Sequence, residues 1–381
     1  MEFAWNEVEE AYRAELREVI ATLPGDWWDA YAPHGPSSPR LMEHARTFNA
    51  RLAARDLIVR HWPREYGGQD ASAWQQIIIS EEMWSIGEPR SSLYLGANWA
   101  GPAIMKFGTA AQKQKWLRAI AGGELLWCQG FSEPEAGTDL SNMKTRAEPV
   151  EGGYLVNGSK IWTSYAARAD VMFLLARVGG KGKGGVSCFL VPMDTHGIEV
   201  RPIPGVHSRW DFHEVFFTDA FLPADALLGE EAGGWTIVQT IIHYERIGAG
   251  RYEKARRGLD HVVGRLKERG VWDDPVVRAD CAAALALVEA ARLQTYLVID
   301  GRAKDSDPGA ETYLARFAMI QADHAVANLS SAYLPDLLVD GADGHLRSQF
   351  NSAITAGIAA GAAEVQLNMI SGRHLGLPRG A

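Results

Sequence analysis

Two stretches of this chain hold residue types that can do chemistry. In GGWTIVQTIIHYERIGAGRYEKARRGLDHVVGRL, which begins at Gly233, the residues Val238, Ile241, Ile242, Glu245 and Ala249 recur at spacings of three and four, so one helical face carries them all. An unpaired carboxylate on that apolar face is costly. Glu245 is therefore either half of an ion pair, with Arg246 or Arg251 as partner, or a base whose pKa desolvation raises until it accepts a proton near neutrality. The second stretch, WCQGFSEPEAGTDL, residues 127–140, sets Ser132 and Thr138 among glycines and acids. Hydroxyls beside glycines let backbone N–H groups approach carbonyl or phosphate oxygens of a ligand, although a plain polar surface loop has the same composition.

Two further stretches narrow the chemistry. KIWTSYA, residues 160–166, brings Trp162, Thr163 and Ser164 to a strand end, where an indole beside two hydroxyls suits stacking on a planar ring, or simply a core position. GIAAGAAEVQ, residues 357–366, keeps one carboxylate, Glu364, among methyl groups and hydrogens. His207, His213 and His243 lack metal-ligand spacing and read as hydrogen-bonded structural histidines. Cys128, Cys188 and Cys281 lie far apart with no C-x-x-C pair, so neither a disulfide framework nor a zinc site is suggested, and this usage fits a reducing compartment.

The elements that must position these residues follow from periodicity. From Glu2 to about Ala121 the apolar spacing of three and four predicts helices, as in AYRAELREVIATL and WQQIIISEEMWSI. Between about Gly123 and Gly229, short β-branched and aromatic runs (YLVNGSKIWT, VMFLLARV, VSCFLVPM, EVFFTDAFL) predict an antiparallel β domain, with a hairpin turn at Asn157-Gly158 and GGKGKGG as a loop between strands. Long helices return from Gly233, broken by GVWDDP and AKDSDPG. The expected fold is α+β: an N-terminal helical domain (1–122), a β-barrel-like middle domain (123–232) and a C-terminal four-helix bundle (233–381). The G-x-G-x-x-G fingerprint between strand and helix is absent, so a flavin or nicotinamide is not held in the Rossmann manner.

Composition excludes other classes. The chain has 381 residues with 38 basic against 47 acidic, a formal charge of −9 that repels phosphate backbones, so nucleic acid is not an expected partner. The acidic, amphipathic start lacks the form of a secretory signal, and no stretch reaches about 18 unbroken apolar residues, so a cytoplasmic protein without a membrane partner is expected.

Five ordered motifs, FSEPEAGTD, NGSKIWTS, FHEVFFTDAFLPADALLGEEAGGW, HYERIGAG and AAEVQLNMISGRHLGLPR, resemble the acyl-CoA dehydrogenases over nearly the whole chain. The resemblance implies bound FAD, a homotetramer or dimer, and α,β-dehydrogenation of an acyl-CoA thioester with electrons passed to an electron-transfer flavoprotein. A base would remove the α-proton while a hydride leaves to flavin N5. By position, Phe131 and Ser132 would meet the flavin ring with Trp162, Thr163 and Ser164. Thr138 would lie near the pyrophosphate or the CoA chain, and Arg278 and Glu364 would contact FAD. The family keeps its base in one of two places. One is the residue before the glycine of a C-terminal E-G-T motif, which here is Ala360; the other is an L-E-R sequence on the first bundle helix, which matches Tyr244-Glu245-Arg246. Glu245 is thus the expected base, with Arg246 orienting substrate or structural. Two departures weaken the adenine half of the FAD site: Ala362 replaces the threonine of E-G-T, and LPDLLVDGADGHL replaces a Q-x-x-G-G turn. Some bacterial relatives acting on steroid side-chain CoA esters are heteromers. A partner subunit that completes another chain's site is therefore the alternative reading. The small residues Ala359, Ala360, Ala362 and Ala363 suggest a branched, cyclic or bulky acyl group.

Overall fold

The computed structural model describes residues 5–206, 210–245, 250–304, 306 and 309–378, with the side chains of 243–245 not among those described. Its principal helices are α1 (Glu7–Ile20), α2 (Pro39–Ala53), α3 (Trp74–Ser85), α4 (Gly234–Glu245), α5 (Tyr252–Glu268), α6 (Pro275–Ala303), α7 (Glu311–Tyr333), α8 (Gly344–Ala356) and α9 (Ala363–Met369). Between α2 and α4 in sequence lie eight strands, β1 (Trp127–Gly130), β2 (Arg146–Val150), β3 (Gly153–Ser164), β4 (Val171–Arg177), β5 (Val186–Pro192), β6 (Ile198–Ile203), β7 (Phe212–Pro223) and β8 (Leu227–Leu228). The order helix, sheet, helix is the one periodicity predicts. The chain divides into two compact units, one of residues 1–35, 70–88 and 245–381, the other of residues 36–69 and 89–244.

The first unit is helical. Asn6 starts α1 with a reciprocal cap, its Oδ1 accepting from Glu9 N at 2.9 Å while Glu9 Oε2 accepts from Asn6 N at 3.1 Å. Tyr12, Leu16 and Val19 then bury one face of α1. Between them Arg13 donates to Glu82 at 2.6 Å and to Glu81 at 2.7 Å on α3. The buried Glu81 carboxylate also accepts from the Tyr252 hydroxyl of α5 and from the Tyr296 hydroxyl of α6 at 2.6 Å. One carboxylate thereby joins four helices. The long helices α5, α6, α7 and α8 form the expected bundle, α7 packing against the other three. Although α6 is long and apolar enough to cross a membrane, it carries Arg278, Asp280, Glu289 and Arg292 and buries Cys281, Ala284, Val288 and Ala291 in the bundle.

The second unit carries the sheet, in the order β6-β7-β3-β2-β4-β5-β8, with β1 pairing off this path against β4. Pairing is antiparallel in the β2–β3, β3–β7, β4–β5, β5–β8 and β6–β7 ladders, whereas β1 runs parallel to β4. β4 and β5 are buried along almost their whole length, which explains their unbroken apolar sequences, and GGKGKGG joins them as expected. The hairpin turn is not at Asn157-Gly158. β3 runs straight through those residues, and the β2–β3 turn falls at Glu151-Gly152, since Val150 pairs with Gly153. Asn157-Gly158 marks a bulge instead: Gly158 has φ +142°, and a Cβ there would lie 2.7 Å from Thr145 Cα. Asn157 spends its amide across the bulge, Nδ2 donating to Asp219 Oδ1 at 3.0 Å and Oδ1 accepting from Asp219 N at 2.9 Å. An Asn-Gly pair supplies the same conformational freedom to a bulge as to a turn.

Replacing Glu81 by Gln should lower stability by about 2 kcal/mol, because a charge-assisted acceptor of three donors becomes a neutral one. A urea midpoint equal to that of the wild type would show that the carboxylate does not hold the helices.

Candidate functional site

The second unit places five of the expected cofactor residues together. β1 ends at Gly130, and the loop that follows runs beside β3: Ile161 N donates to Ser132 O at 2.9 Å. The loop is fastened from beneath by Lys160 of β3, whose fully buried ammonium donates to Phe131 O at 3.2 Å and to Glu133 Oε1 at 2.7 Å. Glu133 also accepts from the backbone N–H groups of Lys144 and Thr145, so both of its oxygens are used. Burial alone would raise the Glu133 carboxyl, but the Lys160 charge and those N–H groups hold it below the ordinary range. Burial pulls Lys160 down to about 8 in spite of Glu133, so the pair is ionised at neutrality and its cation is the more easily lost charge. Phe131 and Ser132 are thus placed by a buried ion pair that no local motif announces.

Beside them β3 breaks its ladder with β7. Two residues, Ile161 and Trp162, fall between the Lys160–Val215 and Thr163–His213 pairs, and Trp162 has φ +61°. That conformation is disfavoured for an L residue and points to a positional demand. It leaves the indole 56% exposed, edge-on to Phe212 at 5.9 Å. Thr163 O accepts from His213 Nδ1 at 3.2 Å, and burial lowers the His213 pKa, which makes it the structural histidine expected. Thr163 Oγ1 is buried with no hydrogen-bond partner among the described residues. An exposed indole, an orphaned hydroxyl and Ser164 on one strand end, with Phe131 and Ser132 alongside, fit a planar ring with a hydrogen-bonding edge. Thr138, further along the loop, is exposed.

A small apolar recess opens on this platform, walled by Leu95, Trp99, Trp127, Phe131, Phe173 and Ile241. Ile241 belongs to α4, and Val238 one turn earlier is fully buried. Glu245 ends α4 one turn beyond Ile241. Its side chain, together with Arg246, His207 and His243, lies outside the described residues or side chains.

The remaining sites lie in the first unit. Arg278, in the opening turns of α6 after the Asp274 cap, and Glu364, in the first turn of α9, are both exposed. GIAAGAAEVQ is a turn over residues 357–362 followed by the start of a helix: α8 stops at Ala356, Ala360 has φ +54° and Gly361 φ +91°, and α9 begins at Ala363. Its backbone is held by Arg316, a buried residue of α7 that donates to Ala356 O and Ala359 O, both at 2.7 Å. LPDLLVDGADGHL, residues 334–346, forms a short helix, Pro335–Val339, then a loop to Asp343, which caps α8 through the N–H groups of His345 and Leu346. Lys160, Arg316 and Asp343 went unseen in the sequence, although an aspartate and glycine before an apolar helical run is a capping signal.

An exposed indole, an orphaned hydroxyl and an apolar recess side by side suit a planar redox cofactor of flavin type. Models of the acyl-CoA dehydrogenase N-terminal, middle and C-terminal domains match residues 6–124, 128–220 and 232–375. The chain is 31% identical to the acyl-CoA dehydrogenase IpdE1 of Mycobacterium tuberculosis over 98% of each chain. It resembles the solved Tcur3481-Tcur3483 steroid ACAD at a TM-score of 0.87, with 28% identity and all of both chains covered. The ChsE4-ChsE5 complex from Mycobacterium tuberculosis gives a TM-score of 0.84 and 26% identity, again over the whole of both chains. The chain belongs to the acyl-CoA dehydrogenase family, whose members are flavoproteins.

Lys160→Met should cost about 3–5 kcal/mol, because Glu133 is left buried and unpaired, while adding Glu133→Leu should restore part of the loss. Thermal melts of the two variants decide this, and a double variant less stable than the single would refute the pairing. The folded Glu133 carboxyl is depressed, so its contribution is complete above the ordinary glutamate pKa of about 4.5 and is lost as pH falls through the lower folded value.

Proposed function

We propose that the protein is an FAD-dependent acyl-CoA dehydrogenase in which Glu245 is the base. The observation that carries this reading is the shared recess: Ile241 of α4 and Phe131 of the platform line one apolar space, and Glu245 follows Ile241 by one helical turn. The alternative location for a base is Ala360, which has no carboxylate. FAD held by Phe131, Ser132, Trp162, Thr163 and Ser164 would supply the two-electron acceptor for the β-hydride. The protein's own residues do the rest. The apolar walls of Trp99, Phe131 and Phe173 keep water from the reacting carbons, and Glu245 is assigned the removal of the α-proton of the thioester. Thr138 and Arg246 are assigned to the CoA side by family position, and Arg278 and Glu364 to the FAD of the assembled enzyme. Electron-transfer flavoprotein is the proposed electron acceptor, a homo-oligomer the proposed assembly, and the cytoplasm the proposed compartment, in keeping with three free buried cysteines.

A branched, cyclic or steroid-like acyl group is the proposed substrate class, supported by the small residues 359–363 and by relatives described as steroid enzymes. The same relatives favour a second reading, a subunit that completes its flavin site with a homologous chain, since two of them are complexes of paired names. Expression alone and with a candidate homologue separates the two. A yellow protein purified alone supports the first reading; a colourless one that gains flavin only on co-expression supports the second.

Glu245→Gln should leave flavin bound and slow its anaerobic bleaching by acyl-CoA about 10²–10⁴-fold, the usual worth of a general base. Stopped-flow absorbance reads this directly, and undiminished bleaching would remove Glu245 from the mechanism. Across a panel of thioesters, cyclic and steroid-like CoA esters should bleach the flavin faster than straight chains, and the reverse order would refute the substrate class.

A further inference from the structure

A second polar cavity lies wholly within the helical unit, away from any residue assigned above. Trp28, Arg257, Gly258, His261, His345 and Gln349 enclose it, between the short helical turn Trp27–Ala30, α5 and α8, and it leaves room for about one water-sized body. Trp28 is its floor. The Arg257 guanidinium lies over the indole, 4.9 Å from the ring centroid, and His345 stacks on the same indole at 4.4 Å with the rings 17° apart. Arg257 Nη1 and His345 Nε2 are both buried, and neither has a hydrogen-bond partner among the described residues.

The carboxylates nearby are committed elsewhere. Asp343 accepts from His261 Nε2 at 2.8 Å, from Arg265 Nε at 2.6 Å and from two N–H groups of α8. Asp29 lies 3.7 Å from His345 Nε2, and its side chain is 85% exposed to water. Burial lowers the Arg257 pKa to about 10, with no acidic neighbour offsetting it, so the group stays charged at neutral pH. Burial and the adjacent His261 and Arg257 charges hold His345 at about 4, hence neutral, able to present one N–H. A buried cation without a counter-charge is costly, and cation–π contact with Trp28 offsets only part of that cost. The neutral imidazole adds a donor and no charge.

We propose that this cavity binds a monatomic anion of chloride size, held between Arg257 Nη1 and His345 Nε2–H beside the Trp28 ring. The ion neutralises Arg257 and fastens α5 to α8 and to the turn at residues 27–30.

Two measurements on the whole protein test this. Crystals grown in moderate sodium bromide should give an anomalous peak within hydrogen-bonding reach of Arg257 and His345. In solution, the wild-type Tm should rise by a few degrees between about 1 and 100 mM chloride when sodium gluconate keeps ionic strength constant, as expected for a ligand bound only by the folded state. Arg257→Gln should abolish that dependence while keeping flavin content. Failure of the variant to fold leaves both wild-type readouts decisive. Absence of the peak, a peak only at molar bromide, or a wild-type Tm indifferent to chloride overturns the proposal and leaves the cavity to water.

Discussion

The platform depends on one buried ion pair. Lys160 reaches from β3 to Phe131 O and Glu133 and, with the Ile161 N–Ser132 O bond, holds the loop after β1 against β3. Loops usually run over the surface because their backbone groups need water. This one turns inward because Glu133 accepts from the N–H groups of Lys144 and Thr145 and from the ammonium at once, and so replaces water for three donors. The backbone next door is strained. The residues following Lys160 leave the ladder, and Trp162 takes a left-handed backbone that presents its ring outward. A fixed loop and an out-turned indole lie side by side, and together they make a surface that suits a planar ring.

The first unit uses the same device in other places. Glu81 gathers donors from α1, α5 and α6, Asp343 gathers His261, Arg265 and the start of α8, and Arg316 gathers two carbonyls of the turn that follows α8. Each buried charge is multiply hydrogen-bonded, which is the condition under which burial of a charge is tolerable. Arg13 and Arg316 each leave Nε without a partner but donate through their terminal nitrogens, whereas the buried Arg257 Nη1 has no hydrogen-bond partner among the described residues.

Much of this was legible from residue patterns, and for definite reasons. Helices with a clear period of three and four, such as α1 and α5, and fully buried strands such as β4 and β5, are written in local apolar spacing. The grouping of Phe131 and Ser132 with Trp162, Thr163 and Ser164 came through the family's motifs and not through spacing, since thirty residues separate them. Asn157-Gly158 misled because positive φ serves bulges as well as turns, and only the pairing partner distinguishes the two. The pairs Lys160–Glu133 and Glu81–Tyr296 were illegible because an acid or a lysine in a sequence carries no mark of its partner's position.

The turn at residues 357–362 bears on where a base can sit. Its shape is fixed by backbone groups: Arg316 binds two of its carbonyls, Ala363 N donates to Gly357 O at 2.9 Å, and Gln366 Nε2 donates to Gly361 O at 3.2 Å. No side chain within the turn takes part in those bonds, so alanine and glycine suffice. Ala360 also stands at φ +54°, where any side chain with a Cβ is strained by roughly 1–2 kcal/mol. A carboxylate placed at 360 would hang on a strained, backbone-held turn. At 245 it stands at the end of a twelve-residue helix whose preceding turns are anchored by the buried Val238 and Ile241. A catalytic group is held more closely to its working geometry by a packed helix than by a turn of small residues. The base proposed on α4 leaves the turn with only its backbone shape to contribute.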